Sequence, residues 1–159
     1  HEEEWWGFVR SLRDDANKCS DAARREKVIG ASGDAEVHVY HPDEAVRSRL
    51  AALAGDARLL PTPVATDGVD DLRFVLQSSR VVVCDDPAAV AEACPDFHVG
   101  EAGGGESGCE VGVRAAEGAK CERCWLYCHG VGEDEDHPTL CGRCASVVRG
   151  LEGAEQTAS

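Results

Sequence analysis

The chain has 159 residues, of which 30 are Asp or Glu and 16 are Lys or Arg, giving a formal net charge of −14. That balance excludes broad, nonspecific affinity for nucleic acid, which needs Lys and Arg to neutralise phosphates, and leaves only a local basic face open. The length allows one ordinary domain or a small domain plus a module, no apolar run is long enough for a transmembrane helix, and no basic-then-apolar leader opens the chain.

Residues 5–29 predict a helix. Trp5, Phe8, Val9, Leu12, Ala16, Cys19 and Ala23 recur at three- and four-residue steps and make one apolar face. Gly30 and Gly33 are expected to end it. In the same stretch Arg10, Arg13, Lys18, Arg24, Arg25 and Lys27 outnumber Asp14, Asp15, Asp21 and Glu26. The segment is mildly positive inside an acidic chain, and both an RNA-facing surface and a plain solvated helix face stay open. Residues 36–40 alternate and predict a short strand. Pro42 is placed to open a second helix through about Ala54, with Val46, Leu50 and Leu53 on one stripe.

Residues 59–71 hold Pro61, Pro63 and Gly68 and read as loop. Residues 74–76 are a short apolar stretch. Val81, Val82 and Val83 are a β-branched run that reads as a buried strand. Residues 87–94 predict a short helix. Residues 96–108, with three glycines together at 103–105, read as a flexible loop or an insertion. Residues 109–115 alternate again as a strand, and the small, polar composition after Leu151 reads as a tail. The expected fold class is α+β: a leading helix, a small α/β sheet domain and a metal-holding ribbon.

The ribbon rests on four of the nine cysteines. Cys121 and Cys124 form one C-x-x-C pair, Cys141 and Cys144 another, with sixteen residues between them. This is the spacing of a four-thiolate zinc site. Zinc takes four thiolates in a tetrahedron with no open position, so the site is structural and not catalytic. Such a site carries a local charge of about −2, and Lys120, Arg123 and Arg143 lie beside the ligands to offset it. Trp125 and Tyr127 follow directly, either to shield the metal or to offer a face for a base; shielding is the favoured reading for Trp125. His129 and His137 are not needed as ligands, and the acidic run 133–136 reads as a solvated loop tip. The remaining thiols, Cys19, Cys84, Cys94, Cys109 and Cys128, are scattered and fit a reducing compartment better than a disulfide scaffold. With no methionine and a first residue His1, the chain is expected to be a piece of a longer product.

Residues 116–144 read A-x-G-x-K-C-x-R-C-W, then a spacer with Gly132, His137 and Pro138, then L-C-G-R-C. Upstream, Trp5, Leu12-Arg13, Ala23-Arg24, Lys27-Val28-Ile29-Gly30 and Asp34-Ala35-Glu36-Val37 follow in order, and Asp71 to Leu76 reads D-L-R-F-V-L before Ser79. Taken together, these stretches resemble the carboxy-terminal end of the bacterial-type isoleucyl-tRNA synthetase family. The resemblance departs at Gly33, where the family more often has Leu, at Val28 and at Cys19.

The resemblance implies that residues 1–33 are the last helix of an anticodon-binding helical domain and 34–115 a small α/β junction domain with a Gly-rich insertion at about 96–108. It implies a zinc finger at 116–150 and a disordered tail at 151–159. It implies one structural zinc ion on Cys121, Cys124, Cys141 and Cys144, and contact with isoleucine-accepting tRNA through Lys120, Arg123, Trp125, Arg143, Arg10, Arg13, Arg24, Arg25 and Lys27. No catalytic residue is expected here, because the family's nucleotide-binding signatures are missing. ATP and magnesium would belong to the full-length enzyme, whose remaining domains are expected partners of a monomer in a bacterial cytoplasm, a plastid or a mitochondrion. Two alternatives stay open: the DNA-binding finger of a formamidopyrimidine-type DNA glycosylase, which has similar cysteine spacing, and a structural zinc module for docking onto another protein.

Overall fold

The computed structural model describes residues 2–54, 72–99, 106–128 and 130–157. They fall into two compact units, one of residues 2–54, 72–99 and 106–116, the other of residues 117–128 and 130–157. The class is α+β, as expected. The leading helix and the sheet share one core.

The first unit begins with α1 (Glu2–Arg25). Its buried face is Trp5, Val9, Leu12, Ala16, Cys19 and Ala23, the stripe that the periodicity marks. The helix stops earlier than Gly30. Lys27 takes the left-handed conformation at φ 60°, its N–H reaches the Arg24 carbonyl at 3.0 Å, and the Val28 N–H reaches that of Ala23 at 2.9 Å. This is the paired closure usually built on glycine, made here on lysine. A short 3₁₀ turn follows, in which Asp34 accepts from the N–H groups of Gly30 and Ala31 at 3.2 and 3.0 Å.

Then come β1 (Ala35–Tyr40), α2 (Glu44–Ala54), the single turn α3 (Leu72–Val75) and β2 (Arg80–Val83). Pro42 stands outside α2; the cap is Asp43, which accepts from the Ala45 N–H at 2.8 Å. The loop expected at 59–71 lies outside the described residues. Asp86 caps α4 (Pro87–Ala93), with Pro87 in the first turn. Part of the expected Gly-rich loop is strand: β3 (His98–Val99) pairs with β4 (Glu110–Ala115). Further along the same expected stretch, buried Asp15 of α1 accepts from the backbone of Glu106 and Ser107 and from the Ser107 hydroxyl, at 2.6–3.1 Å, and so anchors the chain leading into β4.

The sheet order is β2-β1-β4-β3, with β1 parallel to β2 and antiparallel to β4. Alternation divides it into two faces. On one, Val37, Val39, Val81, Val111 and Val113 are buried in one cluster with α1, Leu50 and Leu72. Burying each such side chain contributes about 1.5–3 kcal/mol. The other face carries Glu36 and His38, both buried. Glu36 sits level with Arg80 on one neighbouring strand and Arg114 on the other. Its carboxylate accepts from Arg114 at 3.1 Å and meets His38 at 2.9 Å and Arg80 at 3.9 Å. Burial raises the Glu36 pKa, but His38, Arg114 and Arg80 outweigh it and hold the carboxyl below its ordinary value. Gly112 on this face meets Cys94: a Cβ there would lie 2.5 Å from the Cys94 Cβ, so only glycine fits.

The second unit is smaller. β5 (Ala119–Lys120) and β6 (Tyr127–Cys128) form a two-stranded hairpin, and α5 (Gly142–Thr157) begins within the second cysteine pair, carrying Cys144 in its first turn. The helix continues past Leu151, where the small polar composition leads one to expect a tail.

Candidate metal centre

In each C-x-x-C the two ligands flank two residues of a turn. The first turn lies between the hairpin strands and is closed by the Trp125 N–H on the Cys121 carbonyl and the Cys121 N–H on that of Leu126, both 2.9 Å. The second begins α5, where the Ala145 N–H reaches the Cys141 carbonyl at 2.9 Å. The turns are tied to each other by the Glu122 N–H on the Thr139 carbonyl at 3.1 Å.

The four sulfurs of Cys121, Cys124, Cys141 and Cys144 all lie within 4.8 Å of one another. Cys124 and Cys141 are 3.9 Å apart. A tetrahedron with Zn–S bonds of about 2.3 Å has sulfur edges of about 3.8 Å, whereas a disulfide needs about 2.05 Å. All four are free thiols. Among the described residues no other group of three or more His, Cys, Asp or Glu could hold a metal.

The electrostatics fit a cation at the centre. Burial pushes Cys124 up to about 12, helped by its hydrogen bond to Cys121 and by Cys141 and Cys144. Burial also raises Cys144, with Arg123 opposing. Cys121 differs: burial raises it too, but the backbone N–H groups of Cys124, Cys141 and Arg123 outweigh that and hold the thiol below its ordinary value. The Cys141 N–H lies 3.3 Å from the Cys121 sulfur. A divalent ion would compensate the thiolates gathered here, and the soft, all-sulfur donor set suits zinc. The ion would be held by these four residues and would supply a cross-link, with no open position for chemistry.

Around the centre the sequence expectations divide. Trp125 does not shield the metal: it is 65% exposed, on a residue with φ 64° that turns the ring outward. The Lys120 ammonium stands 5.5 Å from its ring centre and 5.8 Å from that of Tyr127, the residue opposite Lys120 in the hairpin. These three side chains form an open cationic and aromatic surface. Arg123 is engaged with the metal site, its guanidinium 3.9 Å from the Cys144 sulfur. Arg143 is half-buried in the first turn of α5. His137 faces Glu152 at 3.8 Å, and His129 and the Cys128 side chain lie outside the described set.

The acidic run is not simply a solvated tip. Asp134 is half-buried, accepts from the N–H groups of Asp136 and His137 at 3.0 and 3.2 Å, and pairs with Arg149 of α5. Aspartate bonded to the backbone two and three residues on is a turn signal that the sequence does carry. In α1, Arg24 pairs with Asp21, and Lys27 occupies the helix-ending turn. Arg10 and Arg25 are exposed and Arg13 half-exposed. Of the scattered thiols, Cys19, Cys84, Cys94 and Cys109 are buried in the first unit. Burial raises Cys94 to about 12 and Cys109 to about 11, so they serve as small apolar core residues.

Residues 118–147 match a family model described as a zinc finger found in FPG and IleRS. Similarity extends well beyond the finger. The chain is 35% identical over 147 residues to an isoleucine–tRNA ligase of Nostoc punctiforme, covering 92% of this chain and 14% of the relative. It is 37% identical over 145 residues to that of Microcystis aeruginosa, covering 91% and 14%. It is 39% identical over 144 residues to the chloroplastic/mitochondrial enzyme of Arabidopsis thaliana, covering 91% and 12%. The chain thus spans about one-seventh of the length of these relatives, and the likeness is to their C-terminal region. The glycosylase alternative shares the finger alone.

Proposed function

We propose that this chain is the zinc-stabilised, tRNA-gripping end of an isoleucine–tRNA ligase of bacterial type. One observation carries the reading: similarity to these ligases runs through both structural units, across 92% of the chain, and is not confined to the finger. In the longer enzyme, isoleucine would be attached to its tRNA at the expense of ATP, with magnesium and the catalytic groups supplied by parts that precede these residues in the family. The reading fits a bacterial cytoplasm or an organelle, since the relatives come from both settings; among the described residues no helix is long and apolar enough to cross a membrane.

In this reading the metal does no chemistry. The four thiolates fix the turn that carries Lys120 and Trp125, and the ion keeps that turn rigid. Trp125 offers an exposed π-face for an unpaired base, Tyr127 widens it, and Lys120 supplies positive charge at its edge. Arg143 is proposed to add phosphate contact near the second pair. Arg123 is better assigned to the sulfur that it touches.

The test is binding by the zinc-loaded chain at about 0.15 M salt to isoleucine-accepting tRNA, a noncognate tRNA and duplex DNA. Preference for the first supports the reading, and Trp125→Ala should then weaken binding while one zinc per chain is retained. Preference for DNA would restore the glycosylase alternative. Binding to none of them would make this a docking module and overturn the tRNA role.

A further inference from the structure

The thiols of this chain differ in what can reach them. Of the eight cysteines whose side chains the structure describes, seven are buried and Cys124 alone is partly exposed. Cys19, Cys84, Cys94 and Cys109 are closed inside the first unit, and Cys121, Cys141 and Cys144 are at most 4% exposed. Cys124 lies between Arg123 and Trp125, both exposed. Its sulfur stands 3.9 Å from that of Cys141 on the other turn. The remaining two sulfurs have other contacts: Cys121 accepts the Cys141 N–H at 3.3 Å, and Cys144 has the Arg123 guanidinium 3.9 Å away. A thiol on a metal is held as the thiolate, the nucleophilic form. Access therefore decides which of the four ligands meets an oxidant first.

We propose that Cys124 is the oxidation-sensing ligand of this centre: a peroxide reacts with it first, Cys141 closes a disulfide onto it across the two turns, and the metal is given up. In the first step the Cys124 sulfur takes one peroxide oxygen, the O–O bond breaks and hydroxide leaves. The sulfur is oxidised by two electrons to a sulfenic acid, and the peroxide is reduced. In the second step the Cys141 thiolate attacks that sulfur, the S–S bond forms, the S–O bond breaks and a second hydroxide leaves. The two sulfurs close from 3.9 Å to about 2.05 Å. Cys121 and Cys144 are then the only thiolates left in the cluster, too few for a closed zinc site. The bridge joins the turns where the Glu122 N–H already meets the Thr139 carbonyl. The two pairs thus stay together, and a thiol reductant with zinc restores the centre. The consequence for RNA rests on the tRNA reading. Trp125 follows Cys124 directly, and its N–H closes the turn on the Cys121 carbonyl at 2.9 Å, so a turn drawn toward Cys141 no longer presents the indole in the same way.

The test treats the full zinc-loaded chain with hydrogen peroxide. Zinc release is read with a chromophoric chelator, and thiols are mapped by mass spectrometry with and without a sulfenic-acid trap. The trap should label Cys124. Without it, a Cys124–Cys141 bridge should form as zinc leaves, while Cys19, Cys84, Cys94 and Cys109 stay reduced. Cys124→His leaves three cysteines and a histidine, a set that zinc accepts, and should slow release about tenfold or more. Cys144→His should release as fast as the wild type. If either variant fails to load zinc, the wild-type map decides. First oxidation at any other cysteine, or a bridge inside one C-x-x-C, would overturn the proposal. The bridged chain should lose affinity for isoleucine-accepting tRNA and regain it with dithiothreitol and zinc; unchanged affinity at full bridging would overturn the switch. A reduced, zinc-loaded chain that binds no tRNA would strike the tRNA reading alone, with zinc release and the thiol map still deciding the role of Cys124.

Discussion

The two units are held together by different physics. In the first, a helix and a sheet close over a shared cluster of apolar side chains, with one buried ionic row on the opposite sheet face. In the second, the buried apolar residues among those described are Cys121, Cys141, Cys144 and Ala145, so three of the four belong to the four-cysteine cluster. Its strands are two residues long. The first unit can lose a contact and keep its core. The second has almost no core to fall back on once its cross-link is gone.

The largest way to break this contrast is to remove the metal. Cys141→Ser or a strong chelator should melt residues 117–157 and spare residues 2–54 and 72–116, because in zinc fingers the metal's binding free energy, about 10–16 kcal/mol, is folding free energy. Amide exchange reads both units at once. A finger that stays protected without metal would end the comparison, as would a loss that spreads evenly through the chain.

Next in size is Glu36→Gln. Removing one member of a buried ion pair costs about 3–5 kcal/mol; Arg80 and Arg114 are partly exposed, so about 2–4 kcal/mol is expected, all in the first unit. Zinc affinity should not change. The same carboxylate gives a pH signature. Its folded pKa is depressed below 4.5. It therefore contributes stability that is fully present above pH 4.5 and fades as pH falls through the lower folded value. The finger also weakens in acid, because protons compete with zinc for the thiolates. Excess zinc should rescue the finger and do nothing for the sheet, a split that denaturation at several pH values and two zinc concentrations would show.

Gly112→Ala is a smaller test. The added methyl would press on the Cβ of Cys94 at 2.5 Å, and overpacking of this kind costs about 1–3 kcal/mol, read as a lower denaturation midpoint for the first unit alone. The smallest effect should come from Arg123→Gln. Losing a donor to the Cys144 sulfur should speed zinc transfer to a chromophoric chelator by up to about tenfold, with the first unit untouched. No change in transfer rate would place Arg123 outside the metal site.

What could be read in advance follows the same division. The cluster of Cys121, Cys124, Cys141 and Cys144 was legible because C-x-x-C is a local pattern whose partners are few residues apart. The apolar face of α1 and the strands at 35–40, 80–83 and 110–115 were legible from periodicity. The ionic row was not. Glu36 and His38 alternate with Val37 and Val39 just as solvent-facing residues do, and their partners Arg80 and Arg114 lie 44 and 78 positions away. The glycines at 30 and 33 point to a later end for α1 than the one that left-handed Lys27 makes. Trp125 was assigned to shielding because aromatic residues next to a metal often pack; its backbone conformation turns it outward instead. The reach of α5 to Thr157 was missed because small polar residues carry little periodic signal.

The row of Arg80, Glu36 and Arg114 has a consequence for how the sheet assembles. Side chains alternate, so sliding β1 by one residue against its neighbours would turn Glu36 and His38 toward α1 and bring Val37 or Ala35, according to the direction, between the two arginines. The mispaired sheet would then bury an unmatched carboxylate in an apolar layer and strand two cations on the other side. One such shift is penalised on both faces at once. The buried ions thus act as an error check on strand pairing: even if they add little to the stability of the finished sheet, they separate it from its nearest wrong neighbour.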